Sequence, residues 1–395
     1  MLPLMRLKCA RVYGIIIVMK FMHLSDLHLG KRVNEFSMIE EQEYILSKIA
    51  DIARKEHPEA VIIAGDVYDK PVPPVEAIKL FDGFLNSLTS VGIKVLVISG
   101  NHDSAERLSF GSDLLGGSGV FIAHAYGGDL APVTFNDGFG RVNFYLLPFI
   151  KPANVARVFP DETVQSYTDA VRVALSHANV NYAERNVLVT HQFVTGAVRS
   201  ESEEISVGGT DNVDLSAFGA FDYVALGHIH RPQNVASFAR YCGTPLKYSF
   251  SEASHQKSVT IVEMGKKGDV TMREVDLTPR RDWVVVRGSY AEVTAKSFVS
   301  KQNRDNFFKV VLTDEEDIPD GAAKLRIFCP GLMVLEYDNA RTRAEADLGE
   351  AGDVQSKTPE QLFAELYEKQ NGKPMTEEMR AYVGALIQKI WEGEA

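Results

Sequence analysis

The stretch ALGHIHRPQ, residues 225–233, places His228 and His230 two positions apart, just past an apolar run that begins at Phe221. A run of that length and composition reads as a buried strand. Four other places repeat the pattern of an apolar run followed by polar residues. SDLHLG supplies Asp26 and His28, GDVYD supplies Asp66, GNHDS supplies Asn101, His102 and Asp103, and THQF supplies His191. In open α/β folds ligands gather at the carboxyl ends of strands, which is where all of these residues fall. On an extended segment residues i and i+2 point to the same side. Asp26 with His28, and His228 with His230, are therefore expected to present two side chains each to one cavity.

A single histidine in such a place is most simply a core or surface residue. An ordered series of carboxylates, an amide and imidazoles is better explained by metal ligation. Nitrogen and oxygen donors without thiolate suit manganese, iron or zinc in a catalytic site rather than a structural zinc. The candidate ligands Asp26, His28, Asp66, Asn101, His191, His228 and His230 outnumber what one catalytic ion takes, so two divalent ions are expected, with Asp66 able to bridge them. Gly65, Gly100 and Gly227 directly precede candidate ligands, where the backbone must turn beside crowded side chains. His23, His57, His124, His177 and His255 have no comparable setting and read as structural.

The wider chain is that of an ordinary globular protein. Its 395 residues exceed one typical domain, and 45% of them are apolar. Three cysteines without a C-x-x-C pair suggest a reducing, cytoplasmic setting. No apolar run approaches the roughly 20 residues of a membrane span. Residues 1–18 carry a few cations before a short apolar patch with no cleavage site, and Met19 reads as the start of the first strand. The net charge of −11 is awkward for a protein that touches phosphates. Acidic residues outnumber basic ones from Asp338 onward, so the front of the chain is less unfavourable than the total.

Strand and helix patterns alternate as βαβαβ through KFMHLS, Ser37–Lys55, AVIIAG, Val75–Ser90 and KVLVIS, which implies parallel strands with helices packed on them. Ser37 and Glu40 have capping-box spacing. Further strands are expected at VNFYLLP, NVLVTH and FDYVALGH, with a helix over 164–178. After KSVTIVEM and DVTMREVDL the pattern changes. The expected organisation is an extra segment 1–18, a catalytic domain 19–278, a small α/β unit 279–340 with a helix near 291–302, a linker 341–357 and two terminal helices in 358–395. Thr358 and Thr376 are the expected caps of those helices.

The series D-x-H, G-D, G-N-H-D, H, G-H-x-H resembles that of the calcineurin-like metallophosphoesterases. That resemblance implies a four-layer α/β fold, a double β-sandwich flanked by helices, in place of an open sheet. It also implies that Asp26, His28, Asp66 and His230 surround one ion and Asp66, Asn101, His191 and His228 the other. His102 would lie beside the metals without ligating, as the catalytic group that contacts the scissile phosphate and serves the leaving oxygen. Asp103 would either orient His102 or stabilise the turn.

Beyond the metal motifs, GDVYDKPVPP, HQFVTG, SVGGTDNVD, YCGTPLKYSFSE and TPEQLFAELYEKQNG resemble the bacterial SbcD family of nuclease subunits. Membership would imply manganese-dependent, ATP-dependent 3′-to-5′ exonuclease action on duplex DNA ends and endonuclease cleavage of single strands and hairpins. It would imply a homodimer within a heterotetramer, with an SMC-like ATPase, SbcC, as partner in DNA repair and recombination. The 279–340 unit would be a cap that positions DNA, and the terminal helices a docking element for the ATPase. Lys31, Arg32, Arg107, Arg231 and Lys247 are candidate phosphate contacts, each also readable as a surface charge. The rival readings are a phosphoesterase for small monoesters or cyclic nucleotides on the same core, and a scaffold that has lost catalysis.

Overall fold

The computed structural model describes residues 18–200, 202–203, 211–340, 342, 358–371 and 373–391. Of the N-terminal segment only residue 18 is described, and of the expected linker only residue 342; the rest of both lies outside the described residues, as does the front of SVGGTDNVD. The chain divides into two compact units, Met1–Glu203 with Asn212–Val284 and Glu204–Asp211 with Val285–Ala395.

The first unit contains two six-stranded sheets. In one, Met19–Leu24, Ala60–Ala64, Lys94–Ile98 and Val120–Ile122 run parallel. Ser258–Met264 and Val270–Asp276 return antiparallel to extend it beyond the first strand. In the other, Gly140–Leu147, Arg185–His191, Tyr223–Gly227 and Ala239–Tyr241 are parallel, with antiparallel strands at both edges. The βαβαβ reading thus describes part of a mixed double-sheet structure, because strands between Val133 and Tyr241 form a second sheet before Ser258–Met264 and Val270–Asp276 return to the first.

Period-two alternation explains how the sheets pack. Phe21, Ile62, Ala64, Leu96 and Ile98 from one sheet share a dry core with Phe144, Val187, Val189, Tyr223 and Ala225 from the other. Phe21 meets Phe144 and Tyr223 edge to face, with centroids at 5.3 and 5.6 Å. The opposite face of the second sheet, with Tyr145, Leu188, Val224 and Leu226, buries Val155, Ala170, Val171 and Ala174 from the helices Pro152–Val158 and Tyr167–Ser176. On the first sheet, Val61, Ile63, Val95 and Val97 are fully buried, as are Ile49 and Ala53 of the helix Ile39–Glu56 and Ala77 and Leu88 of the helix Val75–Thr89.

Two local expectations are corrected. Ser37 does not cap the first helix: it pairs with Arg32 in a short hairpin, Met38 occupies the cap, and no side chain closes a box there. A capping box forms instead where Ser166 and Asp169 bond reciprocally to each other's backbone. The single helix expected near 291–302 is two short ones, Tyr290–Val293 and Lys296–Val299. They part where the Thr294 hydroxyl turns back onto the Tyr290 carbonyl and Ala295 adopts an extended ψ of 136°.

The second unit carries a three-stranded sheet of Trp283–Gly288, Phe307–Leu312 and Leu332–Tyr337. It also contains the helices Pro359–Asn371 and Glu377–Trp391. Thr358 and Gln361 cap the first of these reciprocally, and the Thr376 hydroxyl accepts from the Met379 N–H. Among the described residues no helix is long and apolar enough to cross a membrane.

Candidate metal centre

All seven candidate ligands meet at the carboxyl ends of the parallel strands, where the two sheets adjoin. Asp26, His28, Asp66 and Asn101 come from the first sheet, and His191, His228 and His230 from the second. Hydrogen bonds from Asp26 N to the Gly65 carbonyl and from His28 N to the Asp66 carbonyl, 3.0 and 2.9 Å, tie the first two strand ends together.

The side chains converge by a route other than extended alternation. Asp26, His28, Asp66 and His228 all have positive φ, at 53°, 45°, 49° and 98°. L-residues reach that region at a cost of about 1 kcal/mol or more each, and such strain concentrates at functional sites. Left-handed turns aim these side chains inward where an extended chain would send them past one another.

Glycine makes the crowding possible. A Cβ on Gly227 would sit 1.8 Å from the Ala64 carbonyl oxygen and 2.6 Å from His191 Nδ1. Gly65 combines a φ of +86° with a Cβ position 2.3 Å from the same His191 nitrogen.

Asp66 lies at the middle of the cluster. Its Oδ2 is 3.2 Å from His191 Nε2, 3.7 Å from His28 Nε2 and 4.0 Å from His102 Nε2. On one side His28 Nε2 and His230 Nε2 approach to 3.1 Å, and both residues form a compact donor group with Asp26. On the other side Asn101 Oδ1 is 3.0 Å from His191 Nε2 and 2.9 Å from His228 Nδ1. Asp26, Asp66 and His191 form a second such group. Every histidine in these groups is buried.

The electrostatics suit a cation. Burial pushes the Asp26 carboxyl up to about 7, with His191 opposing and Asp66 adding to the rise. Burial also acts to raise Asp66, but His191, His28 and His102 hold it well below the usual carboxylate range. Burial lowers His28 to about 4 and takes His228 well below the ordinary imidazole value, so both are neutral with lone pairs to offer. The Ala64 carbonyl, 2.8 Å from His191 Nδ1, can only accept a hydrogen bond; Nδ1 therefore carries the hydrogen and Nε2 faces the cluster. His28 Nδ1 is buried with no hydrogen-bond partner. Burial acts to lower His191, but Asp66 and Asp26 raise it to about 9, so its Nε2 holds a proton that a bound ion would displace. Together with the carboxylate oxygens, the Asn101 amide oxygen and the neutral His28 and His228 rings, it makes a buried donor set that fits one or two divalent ions of the manganese, iron or zinc type.

His102 stands at the margin. Its side chain keeps 18% exposure, its Nδ1 donates to the Asp69 carbonyl at 3.1 Å, and its backbone N–H donates to Asp66 Oδ1 at 2.9 Å. Asp103 does not orient it. The Asp103 carboxylate accepts from three backbone amides, Val67, Tyr68 and Gly100, and so clamps two loops together. The residue beside His102 is Asp69, which also binds Lys31 at 2.6 Å and groups with His28. Asp69 lies in the same GDVYD stretch as Asp66, three residues on, and that proximity was the available signal.

The candidate phosphate contacts divide. Lys31 is half-buried and linked through Asp69 to the cluster, while Arg32, Arg107 and Arg231 are exposed. Arg32 and Arg107 each donate to a nearby backbone carbonyl, of Glu35 and Pro71. Lys247 is buried and committed to the Ala253 carbonyl and Asp282, at 2.7 and 2.8 Å. It is an internal cation, and the reading of Lys247 as a phosphate contact is dropped.

Comparison with known proteins bears on this geometry. Residues 19–232 match the model of the calcineurin-like phosphoesterases, and residues 279–371 match a domain described as the type 5 capsule protein repressor C-terminal domain. A Staphylococcus epidermidis protein, named as the D component of the nuclease SbcCD, is 31% identical over 343 residues, 85% of this chain and 90% of its own. Its namesake in Staphylococcus saprophyticus is 33% identical over 322 residues, 80% of this chain and 84% of its own. The chain belongs to the SbcD branch of the calcineurin-like phosphoesterases. A solved dimetal phosphatase from Danio rerio, 13% identical, covers 66% of this chain and 99% of its own with a TM-score of 0.36. As an SbcD-branch member the chain has the metallophosphoesterase fold and is a metal-dependent phosphoesterase.

Proposed function

We propose that this chain is a two-metal DNA nuclease, the nuclease component of an assembly with an SMC-like ATPase of the SbcC type. The observation that carries the reading is the place of Asp66, one carboxylate between two sets of nitrogen and oxygen donors. Asp26, His28, Asp66 and His230 would hold one ion, and Asp66, Asn101, His191 and His228 the other, with manganese the best match to the donor set. When bound, two such ions polarise a phosphoryl group and favour ionisation of an attacking water.

The chain's own residues supply the rest. His102 presents Nε2 toward the centre while the Asp69 carbonyl holds Nδ1, so it can contact the scissile phosphate and steady or protonate the leaving oxygen. Lys31 and the exposed Arg32, Arg107 and Arg231 are available to phosphates flanking the scissile bond.

DNA is favoured over a small phosphomonoester by the names of the two staphylococcal relatives and by the second unit, which a monoesterase does not require. Residues 279–340 would act as a cap that positions duplex ends over the metals. The terminal helices would dock the ATPase: Phe363, Leu366 and Tyr382, exposed by 46%, 53% and 71%, would supply apolar anchors for a groove on the partner. On this reading the protein acts as a homodimer within a cytoplasmic heterotetramer, trimming DNA ends from 3′ to 5′ and opening hairpins under ATP control.

The test is manganese-dependent digestion of end-labelled duplex and hairpin DNA, with and without the partner ATPase and ATP. Cleavage that requires manganese and is stimulated by the complete assembly supports the proposal. Rapid turnover of a chromogenic monoester with intact DNA would favour the small-substrate alternative.

A further inference from the structure

We infer that Ser202 is a positioning residue for His230, fixing which ring nitrogen carries the proton and thereby holding Nε2 as a metal ligand. The inference rests on the two-metal reading and assigns the outer partners of one ligand within it.

His230 is held at three points by residues from three separate segments. Its backbone N–H donates to Glu203 Oε1 at 2.6 Å. Its carbonyl accepts from Lys257 Nζ at 2.9 Å and from the Thr244 N–H at 3.2 Å. Its ring Nδ1 lies 2.6 Å from Ser202 Oγ.

The direction of each bond follows from counting protons. Ser202 Oγ is also 2.5 Å from Glu252 Oε1. An ionised carboxylate only accepts, so the single hydroxyl proton goes to Glu252, and toward His230 the same oxygen must accept. The hydrogen on His230 is therefore at Nδ1, and Nε2 carries the lone pair. That nitrogen is the one 3.1 Å from His28 Nε2, in the group that includes Asp26.

Glu252 is anchored in turn. It is fully buried and ion-paired with Lys257, itself 3% exposed, and Lys257 also donates to Thr244 Oγ1 at 2.7 Å. A buried carboxylate without such a partner would be costly, and with it the acceptor for Ser202 is fixed in place. The result is a chain of polar contacts, Lys257 to Glu252 to Ser202 to His230, ending at a ligand.

His191 achieves the same end with a backbone carbonyl, which no substitution removes. At His230 the partner is a side chain, so the idea can be tested without disturbing the strand ends. Outer partners of metal-bound histidines typically contribute about 10- to 100-fold in metal affinity.

The experiment is calorimetric titration of metal-free protein with MnCl2, comparing wild type, Ser202→Ala and Ser202→Thr, with thermal melting of each metal-free protein. Wild type should take up two ions. Ser202→Ala should weaken one of them by about 10- to 100-fold and leave the other unchanged, and Ser202→Thr, which keeps the hydroxyl, should restore it. A structural role alone would lower the melting temperature and leave both affinities intact. Wild-type affinity for both ions in Ser202→Ala, or equal loss of both, overturns the inference. Failure of the wild type to bind manganese at all would instead overturn the two-metal reading beneath it.

Discussion

Asp66 Oδ2 and His191 Nε2 lie 3.2 Å apart although they belong to different sheets and are separated by more than a hundred residues of chain. Their meeting depends on the packing of the two sheets through Phe21, Phe144 and Tyr223, so the site is a product of the core and not of any one loop. Replacing Asp66 removes the carboxylate that the proposed assignment places between the two ions, whereas Asp26 is the residue present in both compact donor groups. In Asp66→Ala, bound manganese measured by elemental analysis should fall from about two ions to near none, and phosphodiester hydrolysis by at least about 10²–10³-fold. Full occupancy of one ion would mean that Asp66 is not shared.

His102 separates ligation from chemistry. His102→Ala should retain its manganese while cleavage of a phosphodiester falls by about 10²–10⁴-fold, the range of a lost general acid. The check is metal content and turnover measured on the same preparation. Loss of metal in that variant would place His102 among the ligands.

Gly227 pairs with His191 across parallel strands, and its missing Cβ is the space that the Ala64 carbonyl and the His191 ring occupy. Gly227→Ala should destabilise the fold by about 1–3 kcal/mol or more through overpacking, read as a lower urea midpoint. Gly83 in the helix Val75–Thr89 has open space at its Cβ position and serves as the control. Gly83→Ala should raise stability by up to about 1 kcal/mol.

Arg185, buried at the start of its strand, donates to both oxygens of Asp137 and to the carbonyls of Met264, Gly265 and Gly140. Burial acts to raise Asp137, but the Arg185 contact and the backbone amides of Phe139 and Met19 hold its carboxyl below the ordinary value. A carboxyl whose value is depressed by folding contributes stability above its unfolded pKa and loses it as pH falls through the folded one. Asp137→Asn should therefore unfold at lower urea than wild type at pH 7, by about 1.5–3 kcal/mol, and the gap should narrow steadily below about pH 4. A gap independent of pH would show that the charge of Asp137 contributes nothing.

The convergence of the candidate ligands was legible because each of them sits directly past an apolar strand in a short recognisable cluster, and strand ends are where a parallel fold must present polar groups. The two-sheet arrangement was not legible from periodicity. Strands such as Gly140–Leu147 and Arg185–His191 are apolar on both faces and look the same in one sheet or two. The left-handed turns at Asp26, His28 and Asp66 were hidden because contacts between strands, such as Asp26 N to the Gly65 carbonyl, set those angles, whereas residue type alone favours negative φ. Glu252 closes the YCGTPLKYSFSE stretch, but Ser202 and Lys257 lie in none of the motifs, and the three become neighbours only in three dimensions. Lys247 misled for the opposite reason: its position in PLKYSF looked open, but Asp282, 35 residues on, folds back to neutralise it.

The most direct test of the central claim is anomalous X-ray scattering from crystals grown with manganese. Two peaks should flank Asp66 Oδ2, one beside His28 and His230 and the other beside His191 and His228. A single peak, or peaks that Asp66 does not touch, would contradict the shared-carboxylate centre on which the nuclease proposal stands.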